Sequence, residues 1–569
     1  MFLKRIFIFT LLMFLFSCSY AFSVEVMPLR DVKPGMKGEV RTVFKGTEIK
    51  SFPAEIISVI KSTRGDRHFI LIRAYGPLIE KLGGIAAGMS GSPFYVNGRI
   101  VGAIGYGWKM SDHRLGLVTP IEEMMRVWRR KDLRDQIDWS VDLREKEKNG
   151  EDKEKEQLLM FASGLSPRGF SILNSGFERY GIKLVEVPMA GSVSLARNVK
   201  LAPGAAIGAL LSCGDISIGA IGTLSYLEGN KFLAFAHPFL SRGSVNYFLT
   251  TAYIHECIPS IEFPFKLGTP GDIVGVVNQD RIEAIGGIIG RYPLSIPMRF
   301  TVKSLDERRE KESFVRVVYD DGILDQLLKA IVLSTFDLGW GRVGDGTVRL
   351  EYEIEGKNMP RVFKRVNYFY SSEDVSKTAF EAFKRDLFFI LNNEFTEVFP
   401  LGVSVEAEFT SLPKILYIKD VHLENKELSR GEELRLKITL LPYRKKPIEK
   451  EVTLKVKEDF PQGKAYLIVR GGGIYPPDKG KGKEEEKTYK SLKEILDDLE
   501  REENNNEIIV ELVSAEKLPE KTGENDDSEK DGSLGGNEEK EENESSEVKL
   551  VFDTDFYVDG YVEKEVVIR

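Results

Sequence analysis

Gly88-Met89-Ser90-Gly91-Ser92-Pro93 runs straight into Phe94-Tyr95-Val96-Asn97-Gly98-Arg99-Ile100-Val101-Gly102-Ala103-Ile104-Gly105-Tyr106-Gly107. A serine sits among glycines that permit a tight turn and present backbone N–H groups outward. A strand follows, then an Asn-Gly pair of the kind that closes two-residue hairpins, then a second strand. The hairpin stiffens the turn behind Ser90. A rigid turn offering N–H groups beside a hydroxyl is suited to stabilising an oxyanion. Ser92, next to Pro93, reads as a turn residue.

Working outward, a chain of 569 residues is too long for one core and predicts several domains. Short strands broken by Gly, Pro and Asn fill residues 22–130, and a helix is expected at Thr119-Pro120-Ile121-Glu122, with Thr119 as N-cap. Residues 131–166 read as a charged linker or helix. Residues 167–305 are β-rich again, with clear runs at 205–211, 216–226 and 232–236. An α+β module is expected over 306–413. Period-two alternation such as Glu433-Leu434-Arg435-Leu436-Lys437-Ile438 predicts a small immunoglobulin-like β-sandwich with a short helix over 414–515, joined by C-terminal strands from 548–569.

The net charge of −8 is concentrated in one place. Residues 516–547 hold 13 acidic residues and four lysines, a net −9, with almost no large apolar side chain. Such a stretch is expected to be a disordered linker. The remainder is close to neutral, so no basic field is left for nucleic acid. At the N-terminus Lys4 and Arg5 precede the apolar run Ile6–Phe16, and Ser19-Tyr20-Ala21 fits a signal-peptidase site, predicting a signal peptide over 1–21. Cys18 offers the alternative of a lipid anchor. No later segment reads as a membrane span, so the mature protein is expected to be exported, periplasmic or extracellular. Cys213 and Cys257 then remain, either as a disulfide or as two buried thiols. Five histidines without metal-ligand spacing argue against a metal site, and no cofactor motif is present.

A serine needs a base to take its proton. His68 and His113 lie in charged turns, His255 in an apolar run and His422 in the sandwich. His237 differs: it ends the apolar strand Phe232-Leu233-Ala234-Phe235-Ala236, and Pro238 stops the ladder.

Two blocks resemble the SpoIVB-type serine peptidases. The first is Gly83-Gly84-Ile85 through Gly88-Met89-Ser90-Gly91-Ser92-Pro93 with its hairpin. The second is Gly219-Ala220-Ile221-Gly222-Thr223-Leu224 through Ala236-His237-Pro238, continuing into Gly268-Thr269-Pro270-Gly271-Asp272 and Gln279-Asp280-Arg281. The resemblance implies a mainly β, chymotrypsin-like double β-barrel, with Ser90 as nucleophile and His237 as general base. By analogy with double-barrel peptidases, the backbone N–H groups of Gly88 and Ser90 would bind the oxyanion. The serine half precedes the histidine half, the reverse of the family's type member, and no PDZ-like module is visible. A triad is defined by geometry rather than chain order, so the permutation is compatible with a site. The position matching the family's acid is Tyr75, which cannot act as a carboxylate; Glu80 and Asp66 are nearby acids without a motif. The expected activity is an exported serine endopeptidase acting on protein or peptide substrates, with the C-terminal modules holding an envelope protein or glycan. The alternative is a catalytically inactive peptidase-fold protein that serves the cell envelope as a binding or structural component.

Overall fold

The computed structural model describes residues 25–62, 67–130, 158–178, 180–187, 199–474, 488–515 and 546–569. Residues 1–24 (which include Cys18 and the expected signal peptide), Asp66, the charged run 142–157 and the acidic stretch up to residue 545 lie outside the described residues. The chain divides into two units: Met1–Gly164, Phe170–Ser295 and Arg316–Leu327 in the first, and Leu165–Gly169, Ile296–Val315 and Leu328–Arg569 in the second.

In the first unit, six strands close a barrel: β1 (Lys37–Val43), β2 (Ile49–Lys61), β3 (His68–Ala74), β4 (Pro93–Val96), β5 (Arg99–Tyr106) and β6 (Leu115–Pro120). Their order around the barrel is β1-β2-β3-β6-β5-β4, with β4 returning to β1. Alternate side chains such as Val40, Ala54, Ile56, Ile70, Ile72 and Val118 fill its interior. Asn97 and Gly98 both take positive φ, +51° and +77°, which matches the hairpin turn expected between β4 and β5.

Eight more strands follow: β7 (Leu158–Ser163), β8 (Ile182–Glu186), β9 (Ala206–Gly214), β10 (Ser217–Glu228), β11 (Lys231–Ala234), β12 (Gly243–Ile258), β13 (Phe265–Arg281) and β14 (Ala284–Ile289). The order β9-β12-β13-β14-β11-β10 returns on itself through pairing of β9 with β10, so these six form a second closed circuit. β7 pairs with the start of β10, and β8 runs parallel to β7. Thus the apolar Leu158-Leu159-Met160-Phe161, placed by sequence inside a charged linker, is a strand. The helix expected at Thr119 also begins later. β6 runs through Pro120, the helix spans Ile121–Met124, and no side chain caps it. Thr119 instead donates its hydroxyl to the Ala236 carbonyl at 2.7 Å, a bond across the two barrels that sequence cannot foresee.

The second unit contains a sheet of strands Phe363–Ser371, Gly346–Lys357, Phe399–Thr410 and Ser295–Ser304 in that order. Helix Val375–Leu391 buries Phe380, Phe383 and Leu387 and is capped by Asp374, whose carboxylate accepts the Lys377 N–H. A two-sheet sandwich follows. One sheet holds Ile448–Lys455, Glu433–Pro442, Ile415–Leu423 and Tyr557–Asp559, and the other holds Glu427–Leu428, Tyr561–Ile568, Gly463–Gly471, Glu507–Ser514 and Glu547–Asp553. The inward residues of both sheets, among them Leu436, Ile438, Leu467, Val510 and Val566, share one core.

Candidate active site

The serine turn is built so that its carbonyls are occupied and two of its N–H groups are not. Met89 is fully buried in the first barrel's core and anchors the turn. Gly88 and Gly91 take φ of +87° and +92°, which L side chains rarely adopt. The Gly88 carbonyl accepts the Thr223 hydroxyl at 3.0 Å, and the Ser90 carbonyl accepts the Thr223 N–H at 2.8 Å. The Gly91 carbonyl accepts the Ser225 hydroxyl at 2.8 Å, while Gly91 N–H donates to Ile104 O at 2.6 Å. A Cβ on Gly91 would lie 2.0 Å from Thr223 O, so only glycine allows β10 to approach this closely. Among the described residues, neither the N–H groups of Gly88 and Ser90 nor Ser90 Oγ has a hydrogen-bond partner. Ser92 is fully buried and its hydroxyl lies 3.4 Å from Thr223 Oγ1, in keeping with its reading as a turn residue.

His237 is delivered by a bend at the end of β11. Phe235 and Ala236 both adopt left-handed φ, +68° and +58°, although neither is glycine. Residues held in this region store about 1–3 kcal/mol each and cluster at functional sites. The ring packs between Phe235 and Tyr106, with centroids 5.8 and 5.9 Å away. Its Nδ1 lies 2.6 Å from the Pro238 carbonyl oxygen. A carbonyl only accepts, so Nδ1 carries the proton and Nε2 is left as the basic nitrogen. Burial holds the imidazole down at about 4, against the smaller upward pull of the Pro238 carbonyl.

Ser90 and His237 line the same cavity, of about 1250 Å³, between the two barrels. Such a volume exceeds the usual range for a small-molecule pocket, roughly 300–1000 Å³, and is large enough for several residues of extended peptide. No hydrogen bond joins Ser90 Oγ to His237. Arg67, Lys109 and Lys266 line the cavity, and among the described residues no carboxylate does. Tyr75 is not in the lining, and Glu80 is turned to the Gly76 N–H of its own helix at 3.4 Å.

Two residues at the site carried no functional weight in the sequence. Asp280 is buried, and its carboxylate accepts the N–H groups of Phe239 and Leu240, each at 2.7 Å, so it shapes the loop that follows His237. Burial raises it to about 6 even though those bonds favour the charged form. Lys266 is buried at the start of β13, where its N–H donates to Ala87 O at 2.9 Å beside the serine turn. Burial lowers its ammonium to about 7. The only signal for Asp280 was its place in the second block. A lysine at a strand start gives no signal at all.

The other histidines are elsewhere occupied. His68 Nδ1 lies 3.2 Å from Glu123, and His255 Nε2 lies 2.7 Å from the Thr269 hydroxyl. His113, in its charged turn, is buried with its ring edge-on to Phe263. His422 is exposed. Cys213 and Cys257 are free thiols, and burial pushes both above the usual range.

Residues 14–125 match the SpoIVB peptidase S55 family. The match spans the first barrel and Ser90, and supports a SpoIVB-like serine peptidase family; His237 lies beyond it. No curated protein and no solved structure is matched. No helix among the described residues is long and apolar enough to cross a membrane.

Proposed function

We propose that the chain is an exported serine endopeptidase, with Ser90 as nucleophile, His237 as general base and the N–H groups of Gly88 and Ser90 as oxyanion donors. The observation that carries this reading is that the serine turn leaves those two N–H groups and the hydroxyl without partners, in a cavity that His237 also lines. Ser90 Oγ attacks the scissile carbonyl while its proton passes to His237 Nε2. The carbonyl oxygen becomes an oxyanion held by the two N–H groups. His237 then protonates the leaving amine, and water releases the acyl group by the reverse sequence.

The Pro238 carbonyl fixes the tautomer that a carboxylate would otherwise fix, but it carries no full charge to stabilise the imidazolium. Together with the low basicity that burial imposes on His237, this predicts slower turnover than a site with an acid. Protein or peptide is the substrate class that the S55 match implies. Export follows from the N-terminal segment read above, and the C-terminal modules are proposed to hold an envelope component. The test is hydrolysis of a denatured protein such as casein by the folded chain. Wild type should cleave it, and Ser90→Ala and His237→Ala should each abolish cleavage. Equal cleavage by Ser90→Ala would overturn the assignment.

Two observations favour the second reading, a peptidase fold used only for binding. The described lining of the cavity offers no carboxylate for His237, and Ser90 Oγ is not hydrogen-bonded to it. On that reading the folded wild type is inert towards casein.

A further inference from the structure

We infer that Thr223 and Lys266 are positioning residues that clamp the Gly88–Ser90 turn in its oxyanion-binding form; this rests on the peptidase reading above. Thr223 grips the turn twice, donating its N–H to Ser90 O at 2.8 Å and its hydroxyl to Gly88 O at 3.0 Å. A threonine hydroxyl has one proton, so once it is given to Gly88 O the oxygen can only accept from its other neighbours. Those neighbours are Lys266 Nζ at 3.3 Å and the Ser92 hydroxyl at 3.4 Å. The hydrogen bonds therefore run in one direction, from Lys266 through Thr223 to the Gly88 carbonyl. Lys266 Nζ is held in turn by the Thr42 hydroxyl at 2.8 Å.

This arrangement has a cost that a structural role does not explain. Burying an ammonium with no carboxylate partner is unfavourable, and an apolar side chain of similar length would fill the space at less cost. Among the described residues no acid pairs with Lys266, and the one titratable group against it is the Cys257 thiol on the neighbouring strand. What the Nζ donor does accomplish is to orient the Thr223 hydroxyl. The Gly88 peptide needs that restraint, since glycine at φ +87° has low barriers to rotation of the adjacent peptide plane. With the Gly88 and Ser90 carbonyls both held by Thr223, the turn keeps its two N–H groups without partners.

The test measures inactivation by a fluorophosphonate, separated into the maximal rate constant and the half-saturating concentration, and hydrogen exchange of residues 86–92 by mass spectrometry. Thr223→Val and Lys266→Met should each lower the rate constant by about tenfold or more, part of the roughly hundred- to thousandfold effect of removing an oxyanion donor outright, with half-saturation little changed. The double variant should be no slower than the worse single variant, because both act through one chain of bonds. Thr223→Ser and Lys266→Arg should recover most of the rate. Exchange in 86–92 should quicken in the valine and methionine variants. Should Thr223→Val fail to fold, Lys266→Met against Lys266→Arg carries the comparison. Unchanged rate constants in folded variants would overturn the clamp and leave the peptidase reading standing. If the folded wild type is not inactivated at all, the peptidase reading fails, and exchange alone decides whether Thr223 and Lys266 hold the turn.

Discussion

At the residue scale the site depends on what His237 is bonded to. Its Nδ1 proton goes to a neutral carbonyl instead of a carboxylate, and burial keeps the ring uncharged at neutral pH. The consequence for stability has a definite sign. An unfolded histidine takes up a proton near 6.5, whereas His237 in the fold does so only near 4. Between those values the unfolded chain binds more protons, so stability is lost as pH falls through that window. The loss amounts to about 3 kcal/mol at full extent. His237→Gln should lack this part of the acid sensitivity, which urea unfolding at pH 7 and pH 4 would measure as a smaller drop than in wild type. An equal drop in both proteins would place the titration elsewhere. Ser90 was legible in the sequence because its setting is local: glycines, serine and hairpin lie within a few residues of each other. His237 was legible only through its flanks and the resemblance, and its bond to Pro238 was not.

At the scale of elements, the close approach of turn and strand matters most. Gly91 meets β10 so tightly that a methyl group would fall on the Thr223 carbonyl, and its φ is left-handed. Gly91→Ala is therefore expected to destabilise the fold by about 1–3 kcal/mol from the backbone conformation alone, with the clash adding to it. It should also slow inactivation by fluorophosphonate, by displacing Ser90 from Thr223. A variant of wild-type stability and reactivity would contradict this packing. The helix start at Thr119 shows why some local signals mislead. Thr-Pro before an acidic turn is a sound N-cap pattern, but the hydroxyl finds the Ala236 carbonyl on the other barrel and the strand continues through Pro120. Lys266 was illegible for the same reason, and Thr223 had no signal beyond its place in the second block, because the partners of both lie far away in sequence.

At the scale of the whole molecule, the sandwich is completed only by the last residues of the chain. Tyr561–Ile568 pairs with Gly463–Gly471 on one side and Glu427–Leu428 on the other, and Glu547–Asp553 extends the same sheet. Alternation marks Glu547–Asp553 and Tyr561–Ile568 as strands, but period two says nothing of which strands they pair with, because those partners lie far away in sequence. Truncation after residue 515 should expose core residues such as Leu467 and Val469 and cost the sandwich its cooperative unfolding, seen as a lost calorimetric transition or insolubility. A truncated protein with an unaltered transition would contradict the pairing. Composition further predicts that limited proteolysis cuts first between residues 516 and 547, and protection there would contradict that expectation. The central claim remains that Ser90 is a nucleophile served by His237. The most direct measurement is fluorophosphonate labelling of the folded full chain, with the modified residue mapped by mass spectrometry. The account predicts a single adduct on Ser90, absent from Ser90→Ala and reduced to that level in His237→Ala. An unlabelled folded wild type, or an adduct that survives Ser90→Ala, would contradict it.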